Sequence, residues 1–130
     1  MMKILEGGCL CGHIRFRATG EPGFPHSCSC SMCRKHTGAL TAAWVEYPKD
    51  HVEWTGPGGA PKSYRSSPGS SRAFCGECGS SIGAIDDAPV IALLTGAFDK
   101  PHLAPLIPQS HSYVGGRPKW WTVTVEKTGK

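Results

Sequence analysis

Polar and apolar residues alternate over residues 13–19, with Ile14, Phe16 and Ala18 on one side and Arg15, Arg17 and Thr19 on the other. A period of two predicts a strand buried on one face. Runs rich in β-branched or aromatic residues at 41–47, 52–54, 72–74, 90–95 and 121–125 predict further short strands. One helical turn or two is expected over residues 31–37, with Gly38 as the residue that ends it. Long stretches of helical periodicity are absent, so the pattern predicts a mainly β fold.

Seventeen glycines and eleven prolines in 130 residues mean that turns and loops take up much of the chain. A chain of this length has the usual size of one domain, and residues 1–130 are expected to form one. The Gly/Pro-rich stretch at 55–61 is short enough to be an ordinary loop. Phe16, Trp44, Trp54, Phe74, Trp120 and Trp121 are expected to pack in the core or at its edge. No apolar run reaches the length of a signal-peptide core or a membrane span, so a cytoplasmic location without membrane association is expected.

Seven cysteines change this picture. Outside an oxidising compartment they are better read as thiolate ligands than as disulfides, and an odd number leaves one unpaired in any case. They fall in three groups: Cys9 and Cys11; Cys28, Cys30 and Cys33; Cys75 and Cys78. In a strand, residues two apart point the same way, so Cys9 and Cys11 can reach one ion. Cys75-Gly76-Glu77-Cys78-Gly79 has the spacing of a zinc-knuckle half-site. Two half-sites make one tetrahedral four-cysteine site, with glycines at 7, 8, 12, 76 and 79 able to bring backbone N–H groups to the sulfurs.

The middle group supplies three ligands. Such a set either keeps an exchangeable fourth position, as catalytic zinc sites do, or is closed by a histidine. His26 and His36 are nearest along the chain, and His13, His51, His102 and His111 are also available. Two zinc ions per chain are therefore expected. They also alter the charge: the formal +4 falls to +1 once seven thiols ionise and two Zn²⁺ bind, and the dispersed cations form no nucleic-acid motif. Arg65, Arg72, Arg117 and Lys119 read as solvated surface charges.

The motifs Gly8-Cys9-Leu10-Cys11-Gly12, Cys28-Ser29-Cys30-Ser31-Met32-Cys33-Arg34-Lys35, Phe74-Cys75-Gly76-Glu77-Cys78-Gly79-Ser80 and Gly96-Ala97-Phe98-Asp99 resemble those of the glutathione-dependent formaldehyde-activating enzyme family, also called the centromere protein V family. The resemblance implies a Mss4-like fold of several small coiled antiparallel sheets. It implies a structural zinc on Cys9, Cys11, Cys75 and Cys78 and a catalytic zinc on Cys28, Cys30 and Cys33. The implied activity is the reversible addition of glutathione to formaldehyde, a carbon–sulfur lyase reaction giving S-(hydroxymethyl)glutathione. Ser29 stands where members often carry a histidine.

A substrate thiolate at a three-cysteine zinc adds negative charge to a centre that is already negative. Arg34, beside the third cysteine, is the expected catalytic cation, with Lys35 next to it. His36 or His26 could carry the proton, and the polar segment 66–71 could contact substrate. The expected partners are a small thiol and a small carbonyl. The alternative is a non-catalytic zinc-stabilised binding module of Mss4-like fold. A methionine-sulfoxide-reductase-like enzyme is disfavoured, because no cysteine follows Cys78.

Overall fold

The structure is a computed structural model and describes residues 3–126. Ten strands form two sheets. The smaller contains β1 (Ile4–Gly8), β2 (Arg15–Thr19) and β5 (Val52–Trp54) in the order β1-β2-β5, all antiparallel. The larger contains β3 (Gly23–Cys28), β4 (Ala42–Pro48), β6 (Lys62–Ser67), β7 (Ser70–Phe74), β8 (Ser81–Asp86), β9 (Val90–Leu94) and β10 (His111–Ser112). Its order is β10-β3-β4-β9-β8-β7-β6. The fold is mainly β, as the sequence pattern predicts, with one departure from antiparallel pairing: β10 runs parallel to β3 and sets Ser112 beside Cys28.

The alternation in β2 does what its pattern requires. Phe16 and Ala18 are fully buried while Arg17 lies outside, and Phe16 meets Phe98 and Trp54 edge-on at 5.1 and 6.2 Å. This face of the small sheet closes on one face of the large sheet, where Val45, Tyr47, Ala73, Ile91 and Leu93 complete the main core. The opposite face of the large sheet carries a second apolar group, Ala42, Trp44, Ala84 and Leu94, which packs with Cys28 and Cys33. Residues two apart along one strand thus divide between packing and chemistry.

The helix α1 (Ser31–Thr37) has the predicted bounds, and Gly38 ends it in the left-handed conformation at φ 75°. Cys30 caps its start, the Sγ accepting from the Cys33 backbone N–H at 3.2 Å. The segment 121–125 is not a strand. It has no strand neighbour, and Trp121 is instead held by polar contacts, its indole N–H to Thr41 Oγ1 at 3.1 Å and its carbonyl to Arg117 at 2.7 Å. The polar segment 66–71 is the tight end of the β6–β7 hairpin. The strand β3, which contains Pro25, lacks an alternating pattern; it pairs with β4 across a bulge between Gly23 and His26.

Phe16 is fully buried in the main core, so its truncation tests this packing. Phe16→Ala is expected to lower stability by about 3–5 kcal/mol in urea unfolding, whereas Tyr64→Ala, at a residue 70% exposed, should change it by less than about 0.5 kcal/mol.

Candidate metal centres and the cavity between the strands

Cys9 and Cys11 leave the end of β1, and Cys75 and Cys78 form the turn between β7 and β8. The four sulfurs lie within 4.8 Å of one another. Cys9 to Cys11 is 3.7 Å and Cys11 to Cys75 is 3.9 Å. Four sulfurs held tetrahedrally at about 2.3 Å from one zinc stand about 3.8 Å apart, so this set has the dimensions of a tetrathiolate site.

Backbone N–H groups surround these sulfurs. Ile14 donates to Cys9 Sγ at 3.2 Å, and Glu77 and Cys78 donate to Cys75 Sγ at 3.3 and 3.4 Å. Gly12 and Gly79 take left-handed conformations at φ 83° and 81°, which side chains disfavour, and so let both turns close on the sulfurs. Ser80 ties the halves together, with Leu10 N–H donating to its Oγ at 3.0 Å and Cys78 Sγ 3.1 Å away. Hydrogen bonding to the Ser80 hydroxyl and backbone lowers the Cys78 thiol to about 5.

Cys28, at the end of β3, and Cys30 and Cys33, at the start of α1, form the second set, also within 4.8 Å. Cys28 is buried, and burial pushes its thiol up to about 12. Burial opposes ionisation of Cys30 as well, but the Cys33 N–H and the neighbouring thiols outweigh it and leave Cys30 below its ordinary value. A divalent cation would convert this reluctant trio into ligands, because its charge favours all three thiolates at once.

Among the described residues no histidine nitrogen or carboxylate oxygen joins the three sulfurs. The histidines nearby have other partners. His26 Nδ1 lies 2.7 Å from Phe24 O, His36 Nε2 lies 3.3 Å from Ala73 O, and His111 Nε2 lies 2.7 Å from Ser29 Oγ. Ser29, fully buried, also meets Thr41 Oγ1 at 2.9 Å. Ser29, at the position where the resembling family often carries a histidine, thus meets one from β10, 82 residues away.

The cation beside the second set is Arg72 of β7. Its Nη1 lies 3.6 Å from Cys33 Sγ and its guanidinium stands over the Trp44 ring at 5.4 Å. The pairing of β7 with β8 delivers it from 39 residues away, which no local motif signals. Arg34 instead turns back along α1, its Nε donating to Ser29 O at 3.4 Å. A cavity of about 680 Å³ opens over Cys28, Cys30 and Cys33, with Arg72, His26 and Trp44 among its lining. A second, of about 540 Å³, lies over Cys9 and is lined by Gly96, Ala97, Phe98 and Asp99, the fourth motif. Arg15 holds Asp99 there through paired contacts of 2.9 and 2.6 Å.

Residues 4–116 match the family described as glutathione-dependent formaldehyde-activating enzyme. The chain belongs to that family. A Halomonas elongata protein named "Putative glutathione-dependent formaldehyde-activating enzyme" is 47% identical over 36 residues, which are 27% of this chain and 23% of that protein. A crystal structure of a Rhodobacter sphaeroides protein shares the fold, with a TM-score of 0.58 over 83% of this chain and all of that one, at 17% identity.

The two sets differ in what they join, and their removal should differ accordingly. Cys75→Ser is expected to unfold or aggregate the protein, whereas Cys30→Ser should leave a folded chain with one zinc by elemental analysis. A single ion in metal-replete wild-type protein would contradict two sites.

Proposed function

We propose that this chain is a zinc-dependent enzyme of carbon–sulfur lyase type that adds a thiol, glutathione or a similar one, to formaldehyde or another small carbonyl. The observation that carries the reading is the three-sulfur set at the wall of a cavity, with a guanidinium against one sulfur and no fourth protein donor among the described residues. Family membership supports the thiol and the carbonyl as substrate classes. In this reading Cys9, Cys11, Cys75 and Cys78 hold a structural zinc and Cys28, Cys30 and Cys33 a catalytic one. A zinc ion bound there would favour the thiolate form of an incoming thiol.

The protein's own residues supply the rest. A free thiol has a pKa near 8.5, and lowering it by two units takes about 2.7 kcal/mol of differential stabilisation. Arg72 offsets the negative charge that three ligand thiolates and a substrate thiolate would bring together. Arg34, through the Ser29 carbonyl, braces the backbone that carries Cys28 and Cys30. In the addition, the thiolate forms a carbon–sulfur bond as the carbonyl π electrons move to oxygen, which then takes a proton. We assign that proton to His26. Its Nδ1 donates to the Phe24 carbonyl, which leaves Nε2 as the nitrogen able to accept and return a proton beside the cavity.

The reading has no role for nucleic acid, and no helix among the described residues is long and apolar enough to cross a membrane. We place the enzyme in the cytoplasm, where thiols stay reduced. A purely structural second zinc would need a fourth donor, and a sulfoxide-reductase chemistry would need a cysteine outside the two sets, which together take up all seven.

Zinc-loaded protein is expected to speed the approach of glutathione and formaldehyde to equilibrium without shifting it, and Cys30→Ser should not. Arg72→Gln should slow the reaction by roughly 10- to 100-fold while keeping both zinc ions, the loss of a charge-assisted contact worth about 1.5–3 kcal/mol. An unchanged rate with fully metallated wild-type protein would reject glutathione and formaldehyde as the pair.

A further inference from the structure

The cavity over the second cysteine set has two unlike ends. Pairing of the strands places Glu46 opposite Ala92, Ala92 opposite Ala84, and Ala84 opposite Arg72. These four residues form one row across β4, β9, β8 and β7. At about 4.8 Å per strand, the row sets the backbones of Glu46 and Arg72 about 14 Å apart, and the two alanines between them leave a trough. Arg72 reaches back to Cys33 at the sulfur end. Asp86, next along β8 on the same face as Ala84, joins Glu46 in lining the cavity.

Neither carboxylate has an ion-pair partner among the described residues, as is also true of Glu77 and Glu126, whereas Asp87, Asp99, Glu6, Glu21 and Glu53 each meet an arginine or lysine. Burial, and then the Asp86 charge, raise the pKa of Glu46, with His26 acting in the other direction. Arg72 would offset the net negative charge of a divalent cation on three thiolates, which leaves a protonated His26 as the positive group facing Glu46. Trp44, only 3% exposed, lines the same cavity between these ends, and its indole N–H has no partner.

The rim carries an independent signal. Among the described residues only two that are not glycine have positive φ, Phe24 at 42° and Tyr113 at 52°. Both are aromatic, both are exposed, at 53% and 72%, and both line this cavity. A left-handed backbone is unfavourable for such bulky residues, and here it holds two rings at the mouth of one cavity. Aromatic faces and unpaired carboxylates share one chemistry: they attract an organic cation.

Resting on the thiol-binding reading above, we propose that Glu46 and Asp86, with the rings of Phe24 and Tyr113, recognise an ammonium group carried by the thiol substrate. The cavity therefore selects amine-bearing thiols over thiols whose nitrogen is acylated. The γ-glutamyl ammonium of glutathione and the amine of a short aminothiol present the same chemistry at different distances from sulfur.

Calorimetric titration of the zinc-loaded protein with two matched pairs tests this: glutathione against N-acetylglutathione, and 2-aminoethanethiol against its N-acetyl derivative. The free amine of at least one pair should bind roughly five- to tenfold more tightly than its acetylated partner, a preference that shrinks at high salt. Preference in the first pair identifies the longer arm, and in the second the shorter. In Glu46→Gln/Asp86→Asn the ratio should fall to about one; comparing ratios between proteins removes the difference in the thiols' own acidity. Equal affinities within both pairs in the wild type, or a preference that survives in the double variant, would overturn the ammonium assignment and leave thiol binding standing. Failure of all four thiols to bind would overturn the thiol reading and this inference together.

Discussion

Four sulfurs from residues 9, 11, 75 and 78 are drawn into a space where they cannot all ionise unaided. Like charges this close repel one another. Without a cation the charge is shared unevenly, with Cys78 brought down to about 5 and Cys11 pushed up to about 12. A divalent ion held here would remove that conflict and turn four mutually repelling groups into one cross-link. It would tie the end of β1, in the small sheet, to the β7–β8 turn of the large one, across 64 residues of chain between Cys11 and Cys75. Residues close to these knuckles, such as Ile14 and Phe16 on one side and Ala73 and Ile82 on the other, meet in the core between the sheets.

The large sheet then works as a two-sided plate. One face supplies the core, through Val45, Tyr47, Ile91 and Leu93; the other supplies the floor of the cavity, through Trp44, Ala84 and Ala92. Small residues on the second face keep open the trough between Arg72 and Glu46, which larger ones would fill. The register of the strands sets the charge pattern of the cavity. A bulge between Ala73 and Phe74 adjusts the β7–β8 pairing between Arg72, which contacts Cys33, and the turn that carries Cys75 and Cys78.

Much of this was legible in the sequence, and the reason is local geometry. The period of two in residues 13–19, the spacing within each cysteine group, and Gly38 behind the short helix are each properties of a few neighbouring residues. The four-plus-three division of the cysteines followed from counting ligands. What was not legible arrives through long-range pairing. Arg72 looked like an ordinary surface charge until β7 met β8 and carried it to Cys33. His111 reaches Ser29 because a two-residue strand runs parallel to β3. Arg34, read from its place beside Cys33 as a compensating cation, donates on α1 to the Ser29 carbonyl, a contact its neighbours in sequence do not signal. The strand expected at 121–125 had the right residues and no neighbour to pair with.

A metal held by Cys28, Cys30 and Cys33 would have one position exchangeable to a thiol. Cobalt in place of zinc makes that position visible, since its absorption responds to the ligands around it and a fully occupied four-cysteine site has none to exchange. A small thiol is expected to change the cobalt spectrum saturably, more strongly as pH rises toward the thiol's own pKa, and Cys30→Ser to abolish the change. A spectrum indifferent to thiol at every pH, from protein carrying two cobalt ions, would mean that the protein itself fills the fourth position, and would contradict that expectation.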